Sequence, residues 1–171
     1  MEKIGFIGVG KVGTAFGVRL AEGGFPVRGA MDILPGESTR FARSVSGCRV
    51  YQTAQSLADD MDFVFITTPD DIIGQVAAQV RWHSGQTVIH CSGANSTVVL
   101  EPARKAGCHV GCMHPCNTFA SIQQSLENLI GSTFTLEAEE PVLSDLKSFV
   151  AVLKGRWMMK KSALLCNRKR S

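Results

Sequence analysis

Lys3-Ile4-Gly5-Phe6-Ile7-Gly8-Val9-Gly10-Lys11-Val12-Gly13 decides how the rest of the chain is read. Residues 3–7 form a short apolar run that predicts a buried strand. The amphipathic stretch Lys11–Glu22 predicts the helix that this strand feeds. Between them lies G-x-G-x-x-G, with a strand before it and a helix after it, the setting in which the pattern cradles a dinucleotide. Gly8 lets the chain turn sharply out of the strand. Gly10 lacks a Cβ, so a pyrophosphate can approach the backbone, and Gly13 lets the helix lie close to the strand. The N–H groups of the first helical turn, at Lys11, Val12 and Gly13, are left to receive phosphate. An acidic residue, Asp32, follows nineteen residues after Gly13. The competing reading is a plain glycine-rich turn. The context on both sides and the placement of Asp32 favour the dinucleotide site.

Outward from this core, the pattern alternates. Strands are predicted at Pro26–Met31, Arg49–Tyr51, Asp62–Thr67, Gln86–Cys91, Cys108–Met113 and Thr133–Leu136, with Arg156–Met159 as a final edge strand. Helices are predicted over Glu37–Val45 and from Pro69 onward, with Thr68 as cap and Asp70 and Asp71 at the positive end. Further helical pieces are expected over Ser96–Ala106, broken at Pro102, around Ile122–Leu129, and after Pro141. Alternation with short loops implies an α/β fold, a doubly wound, mostly parallel sheet with helices on both faces. Ligands of such sheets bind beyond the carboxyl ends of the strands. Those ends here are Gly8–Gly13, Asp32, Thr67-Thr68-Pro69 and Ser92-Gly93-Ala94.

Composition narrows the class. The chain has 171 residues, 44% hydrophobic and 19% charged, with no run of eighteen apolar residues, so one soluble domain with no membrane span is expected. The first strand begins at residue 3, which leaves no room for a signal segment and makes a cytoplasmic location the expectation. The net charge of +3 comes from residues 160–171, which hold five Lys/Arg and no acid. Without them thirteen basic residues face fifteen acidic ones, a net of −2, and no nucleic-acid surface is expected. The domain is therefore placed at 1–159 and a basic tail at 160–171.

Among the chemistry-bearing residues, Asp32 is read as an acceptor for the hydroxyls of the adenosine ribose, which favours NAD over NADP. Ile33 and Leu34 follow it, and Arg40 and Arg43 lie a turn or more away. The six cysteines are expected to be reduced, small and mostly buried. Cys108 and Cys112 share a face of a predicted strand about 13 Å apart at ~3.3 Å per residue, too far for one ion, so no metal is expected. His90 lies within a strand and reads as a core histidine. His114, just past a central strand, is the candidate acid or base, because histidine most readily trades a proton near neutral pH. A loop histidine bonded to backbone fits those residues equally well. Ser92 is placed to hydrogen-bond a substrate or a carboxamide.

Four motifs in order, Gly8–Gly13, Thr68-Pro69-Asp70-Asp71, His90-Cys91-Ser92-Gly93-Ala94 and Gly111-Cys112-Met113-His114-Pro115 with Thr118-Phe119-Ala120, resemble those of a known family. These are Rossmann-like NAD(P)-dependent oxidoreductases with a helical C-terminal domain of unknown function. They are relatives of pyrroline-5-carboxylate reductase, ketopantoate reductase and the deazaflavin-dependent NADP reductases. The resemblance spans about residues 3–160. It implies a cofactor cradle at Gly8, Gly10 and Gly13, cofactor contacts from Thr68 and Pro69, and a nicotinamide-side role for Ser92 and His114; Thr67, at the same strand end, is read as a further cofactor contact. Prephenate dehydrogenases look similar at a His-Pro pair in a comparable loop. In that family a Lys-Ala-Leu-Tyr-like stretch opens a long helical domain that completes the substrate pocket and the homodimer. Here Lys161-Ser162-Ala163-Leu164 is followed by seven residues ending at Ser171, which resembles a truncated or frame-shifted end. The implied activity is hydride transfer between nicotinamide and a small carbonyl, imine or alcohol, with this chain binding cofactor but inactive alone. The alternative is a non-catalytic dinucleotide-sensing module.

Overall fold

The computed structural model describes residues 2–160. Eight strands form one sheet in the order β3-β2-β1-β4-β5-β6-β7-β8. They are β1 (Ile4–Ile7), β2 (Val27–Met31), β3 (Arg49–Val50), β4 (Phe63–Ile66), β5 (Thr87–His90), β6 (His109–Pro115), β7 (Thr133–Ala138) and β8 (Arg156–Met159). All neighbours pair in parallel except β6 and β7. The expected mostly parallel, doubly wound sheet is what forms. The chain builds outward from β1 to β3, then returns to lay β4 on the other side of β1. In open sheets of this kind ligands bind at such a reversal.

The seven α-helices among the described residues are α1 (Lys11–Glu22), α2 (Glu37–Ser44), α3 (Ala54–Asp60), α4 (Ile73–Gln79), α5 (Glu101–Lys105), α6 (Ile122–Leu129) and α7 (Val142–Val152). Two apolar layers cover the sheet. One packs Phe6, Phe65, Ile89 and Met113 under Phe16 and Leu20 of α1, Phe41 of α2, Leu129 of α6 and Phe149 of α7. The other packs Ile7, Val64, Ile66 and Val88 under Leu57 of α3, Ile73 and Ala77 of α4 and Ala103 of α5. β1 and β4 are buried at every position, as strands covered on both faces must be. Phe6 and Phe65 stack at 4.9 Å, and Phe149 meets Phe65 at 5.8 Å, which ties α7 to the centre of the sheet.

Three expectations need correction. Thr68 does not cap a helix at Pro69: residues 70–72 form a turn, and α4 starts at Ile73 with Ile72 as its cap. Asp70 and Asp71 therefore sit in that turn, where the chain is still bending out of β4. Helix α3 was not expected, although its signal is present. Thr53 Oγ1 accepts the Ser56 N–H at 3.1 Å, and Leu57, Ala58 and Met61 share a buried face at helical spacing. Finally, β6 runs through Pro115, so His114 is a strand residue opposite Thr135 rather than a loop residue. The antiparallel return of β7 draws those last positions into the ladder. The expected break near Pro102 occurs two residues earlier. A 3-10 turn, Thr97–Leu100, runs into α5, and Pro102 occupies its first turn, where a missing N–H costs nothing.

Lys160, grouped by sequence with the basic tail, continues the β7–β8 pairing through its N–H to the Leu136 carbonyl at 2.7 Å. The remainder of that tail, with Cys166 and the Lys161–Leu164 stretch, lies outside the described residues.

Candidate functional site

The glycine-rich loop is closed by bonds that converge on Val9. Gly8 leaves β1 at φ +88°, a conformation that a side chain would strain, and its N–H bonds the Met31 carbonyl of β2 at 2.8 Å. The Val9 N–H donates to Asp32 Oδ2 at 2.7 Å, and the Val9 carbonyl accepts from Thr14 Oγ1 at 2.7 Å. Asp32 Oδ1 accepts the Leu34 N–H at 2.9 Å. One carboxylate thus pins the turn after β1 to the turn after β2. Each of its oxygens keeps a second acceptor site, because a carboxylate offers about four lone-pair positions.

Across the reversal point, Thr67 Oγ1 donates to the Gly8 carbonyl in a very short bond, joining the ends of β4 and β1. A Cβ on Gly13 would meet that same Thr67 oxygen at 2.5 Å, so the glycine is what lets α1 sit this close to β4. Gly10 differs: a Cβ there would meet nothing within 4 Å. The space beyond Gly10 is open. Helix α1 begins there with no side-chain cap and no acidic residue in its first turn. Its leading N–H groups, around Lys11, Val12 and Gly13, and its positive end face that space. Ile33 and Leu34, 85% and 61% exposed, present apolar surface just past Asp32. A dinucleotide fits this donor set: N–H groups for phosphate, a carboxylate for ribose hydroxyls, and apolar faces for a base.

One residue set aside as too far from Asp32 does reach the loop. Arg40 lies a full turn into the helical stretch after Asp32, yet its Nη2 reaches the Val9 carbonyl at 3.4 Å. It also pairs with Glu37, Nη1 to Oε1 at 2.8 Å and Nη2 to Oε2 at 2.5 Å. The Glu37/Arg40 spacing of three residues was a legible signal for the pair. Its position against the glycine loop was not, because that depends on how α2 packs.

Beyond β4 and β5 the edge is built from side chains. Thr68 Oγ1 is buried and has no partner among the described residues, and Pro69 follows in the turn. The turn is held by Asn95 Nδ2, which donates to the Asp70 carbonyl at 2.9 Å. Ser92 is buried, and its Oγ accepts the N–H groups of Ala94 and Asn95 at 3.2 and 3.0 Å, so the hydroxyl caps its own turn. His114 Nδ1 lies 3.0 Å from the Cys91 carbonyl. A carbonyl only accepts, so Nδ1 carries the proton and a neutral ring keeps Nε2 as an acceptor. The ring covers Gly93, where a Cβ would meet Nε2 at 2.6 Å. Lys160 Nζ donates to the Gly93 and Asn95 carbonyls at 3.0 and 2.5 Å, clamping the same turn from the other side.

Beneath that turn lies His90, fully buried, whose Nδ1 accepts the Ser92 N–H at 3.2 Å. Burial, reinforced by the Lys160 ammonium, pushes its pKa down to about 4, so it is neutral at neutral pH. Burial likewise raises the Cys91 thiol well above its ordinary value and Cys112 to about 12. The five described cysteines are free; Cys91, Cys108 and Cys112 are buried, Cys48 is partly covered and Cys116 is exposed. Among the described residues no three His, Cys, Asp or Glu side chains gather as a metal site, and no helix is long and apolar enough to cross a membrane.

The family model described as "Rossmann-like domain" matches residues 1–115. Among curated proteins none matches the sequence. Among solved structures, prephenate dehydrogenase from Aquifex aeolicus superposes with a TM-score of 0.80 at 19% identity, over 96% of this chain and 63% of its own. The 3-hydroxyisobutyrate dehydrogenase of Mycobacterium tuberculosis, solved with L-serine, gives 0.78 at 18%, over 98% and 59%. A reductive aminase from Aspergillus terreus, solved with NADPH4, cyclohexanone and allyl amine, gives 0.73 at 14%, over 98% and 61%. The chain spans about three fifths of the length of these structures.

Proposed function

The chain belongs to the Rossmann-like domain family, and from that premise we propose that residues 1–159 are the dinucleotide-binding domain of an NAD(P)-dependent oxidoreductase. The observation that carries this reading is the convergence on Val9. Asp32 holds the loop from one side while the space beyond Gly10 stays open at an uncapped helix N-terminus. In this reading the N–H groups of Lys11, Val12 and Gly13 take the pyrophosphate, Asp32 takes the ribose, and Thr67, Thr68 and Pro69 line the path toward the nicotinamide. Asp32 favours NAD over NADP, since its charge meets hydroxyls well and a 2′-phosphate badly.

When bound, the nicotinamide supplies or accepts the hydride. What this chain adds is position. Ser92, held by its own turn, and His114, oriented by the Cys91 carbonyl, stand on the nicotinamide side. There His114 Nε2 would accept the proton of a small alcohol and, in the reverse direction, return it to the carbonyl or imine. The names of the similar structures, two dehydrogenases and a reductive aminase, support that class of substrate. Hydride transfer also needs the second reactant held at near-attack distance with water excluded. We infer that a further helical part, as in the family resembled, supplies that cover and a homodimer contact, and that the 171-residue chain binds cofactor without turnover. A cytoplasmic location accompanies this reading.

Titration of the purified chain with NADH, followed by nicotinamide fluorescence, tests the first half; a micromolar dissociation constant corresponds to about 8 kcal/mol. Saturable binding is expected, and its absence removes the proposal. Incubation with NADH and a panel of small aldehydes, ketones and imines tests the second half. Measurable NADH oxidation would overturn the claim of inactivity. The Ser92 oxygen, which accepts two N–H groups of its own turn, favours a second reading, a non-catalytic dinucleotide-sensing module. Turnover by a longer form carrying the cover would exclude it.

A further inference from the structure

We propose that Glu37 is the residue that sets which dinucleotide this site takes, by holding Arg40 closed against the glycine loop; the proposal rests on the dinucleotide reading above. Arg40 is the only Lys or Arg side chain from outside residues 8–13 that bonds to that loop among the described residues. It does so at the Val9 carbonyl, on the residue whose N–H is held by Asp32. A guanidinium that reaches the loop beyond β2 is the group that would receive a 2′-phosphate, by a pair of parallel N–H bonds. Here that fork is already filled. Glu37 takes Nη1 with one carboxylate oxygen and Nη2 with the other.

Charge acts in the same direction. Asp32, which accepts the Val9 N–H, and Glu37 set two negative charges against the single positive charge of Arg40, which bonds the Val9 carbonyl. A ribose bearing only hydroxyls meets acceptors there. A phosphate meets two carboxylates and a cation that is engaged elsewhere. The Arg40–Glu37 pair is partly exposed, with 43% and 26% of the side chains accessible. Such pairs contribute little to stability, so removing Glu37 frees the guanidinium without unfolding the helix. Arg40 is then a cation in reserve, and Glu37 decides its availability.

The test uses the whole chain and compares NADH with NADPH, and 5′-AMP with 2′,5′-ADP, by calorimetric titration at low salt. The parent is expected to prefer NADH and 5′-AMP. Glu37→Gln is expected to improve NADPH and 2′,5′-ADP by about tenfold relative to their unphosphorylated partners, a gain that falls as salt screens it. Adding Arg40→Met to Glu37→Gln is expected to erase that gain. The proposal is overturned if Glu37→Gln binds NADH but leaves the NADH:NADPH ratio unchanged, or if the gain survives Arg40→Met. If the folded parent binds neither nucleotide nor fragment, the dinucleotide reading itself falls and this inference with it. A thermal melt within a few degrees of the parent certifies that each variant is folded.

Discussion

The two ends of the ligand edge are built differently. On the β1–β2 side the geometry is set by backbone: Gly8 turns, Val9 is clasped by Asp32 and Thr14, and Gly10 faces open space. Polar capacity there is left over, in the α1 N–H groups and in the spare lone pairs of Asp32. On the β5–β6 side it is consumed inward. Ser92 caps its own turn, His114 bonds the Cys91 carbonyl, Lys160 bonds two carbonyls, and His90 is sealed beneath. The first end keeps an uncapped helix N-terminus beside open space. In the second, Ser92, His114 and Lys160 are each bonded to neighbouring backbone, while His114 Nε2 stays open as an acceptor.

That contrast can be broken most sharply at Gly10. Gly10→Val puts a branched side chain into the open space, where its Cβ meets no protein atom within 4 Å. Nucleotide binding is expected to fall roughly 100-fold, about 3 kcal/mol, with the melting temperature within a few degrees of the parent. Equal loss of binding and of stability would mean that the space is structural rather than a ligand's.

On the other side the largest effect should be on stability. His90 is neutral when folded, with a pKa near 4, and ionises near 6.5 when unfolded. Between those values the unfolded chain binds the extra proton, so stability drops as pH falls from about 6.5 to 4. The loss reaches about 3 kcal/mol. Denaturant titrations at pH 7 and pH 4.5 should show it, and His90→Gln should remove this part of the slope. An identical slope in that variant would show that His90 is not the group responsible.

A smaller effect is expected from Asp32→Ala. It leaves the Val9 and Leu34 N–H groups without their charged acceptor, at a cost of about 1.5–3 kcal/mol of stability. It should also weaken NADH more than NADPH. Equal weakening of the two would remove the NAD preference. The smallest effect should come from the β5–β6 side: Ser92→Ala and His114→Ala, compared by NADH titration, are expected to change affinity by less than about threefold, near the median for a replaceable polar contact. A tenfold loss would mean that this half holds the cofactor too, and the contrast would be gone.

Much of this could be seen in the chain alone, for a local reason. A glycine turn after an apolar run, an acid at the end of the next strand, and small residues closing β4 and β5 are all features within a few residues of one another. Strand and helix periodicity is local in the same way, and it placed every strand, including the parallel centre where β1 and β4 read as unbroken apolar runs. It failed at Thr68-Pro69, where cap and N1 signals were present but Asn95, from another loop, holds the segment as a turn. It failed again at His114, which β7 draws into a strand.

Sequence by itself therefore determined the order of the elements, the mostly parallel sheet and the residues gathered at its carboxyl edge. Only the tertiary structure decided which of those residues have capacity left. Asp32 spans two turns, Ser92 turns on itself, and Arg40 crosses 31 positions to reach Val9. Hydrogen bonding is directional and saturable, so a side chain's chemistry depends on which partners have already claimed it. Those partners come from chain segments that no local pattern brings together.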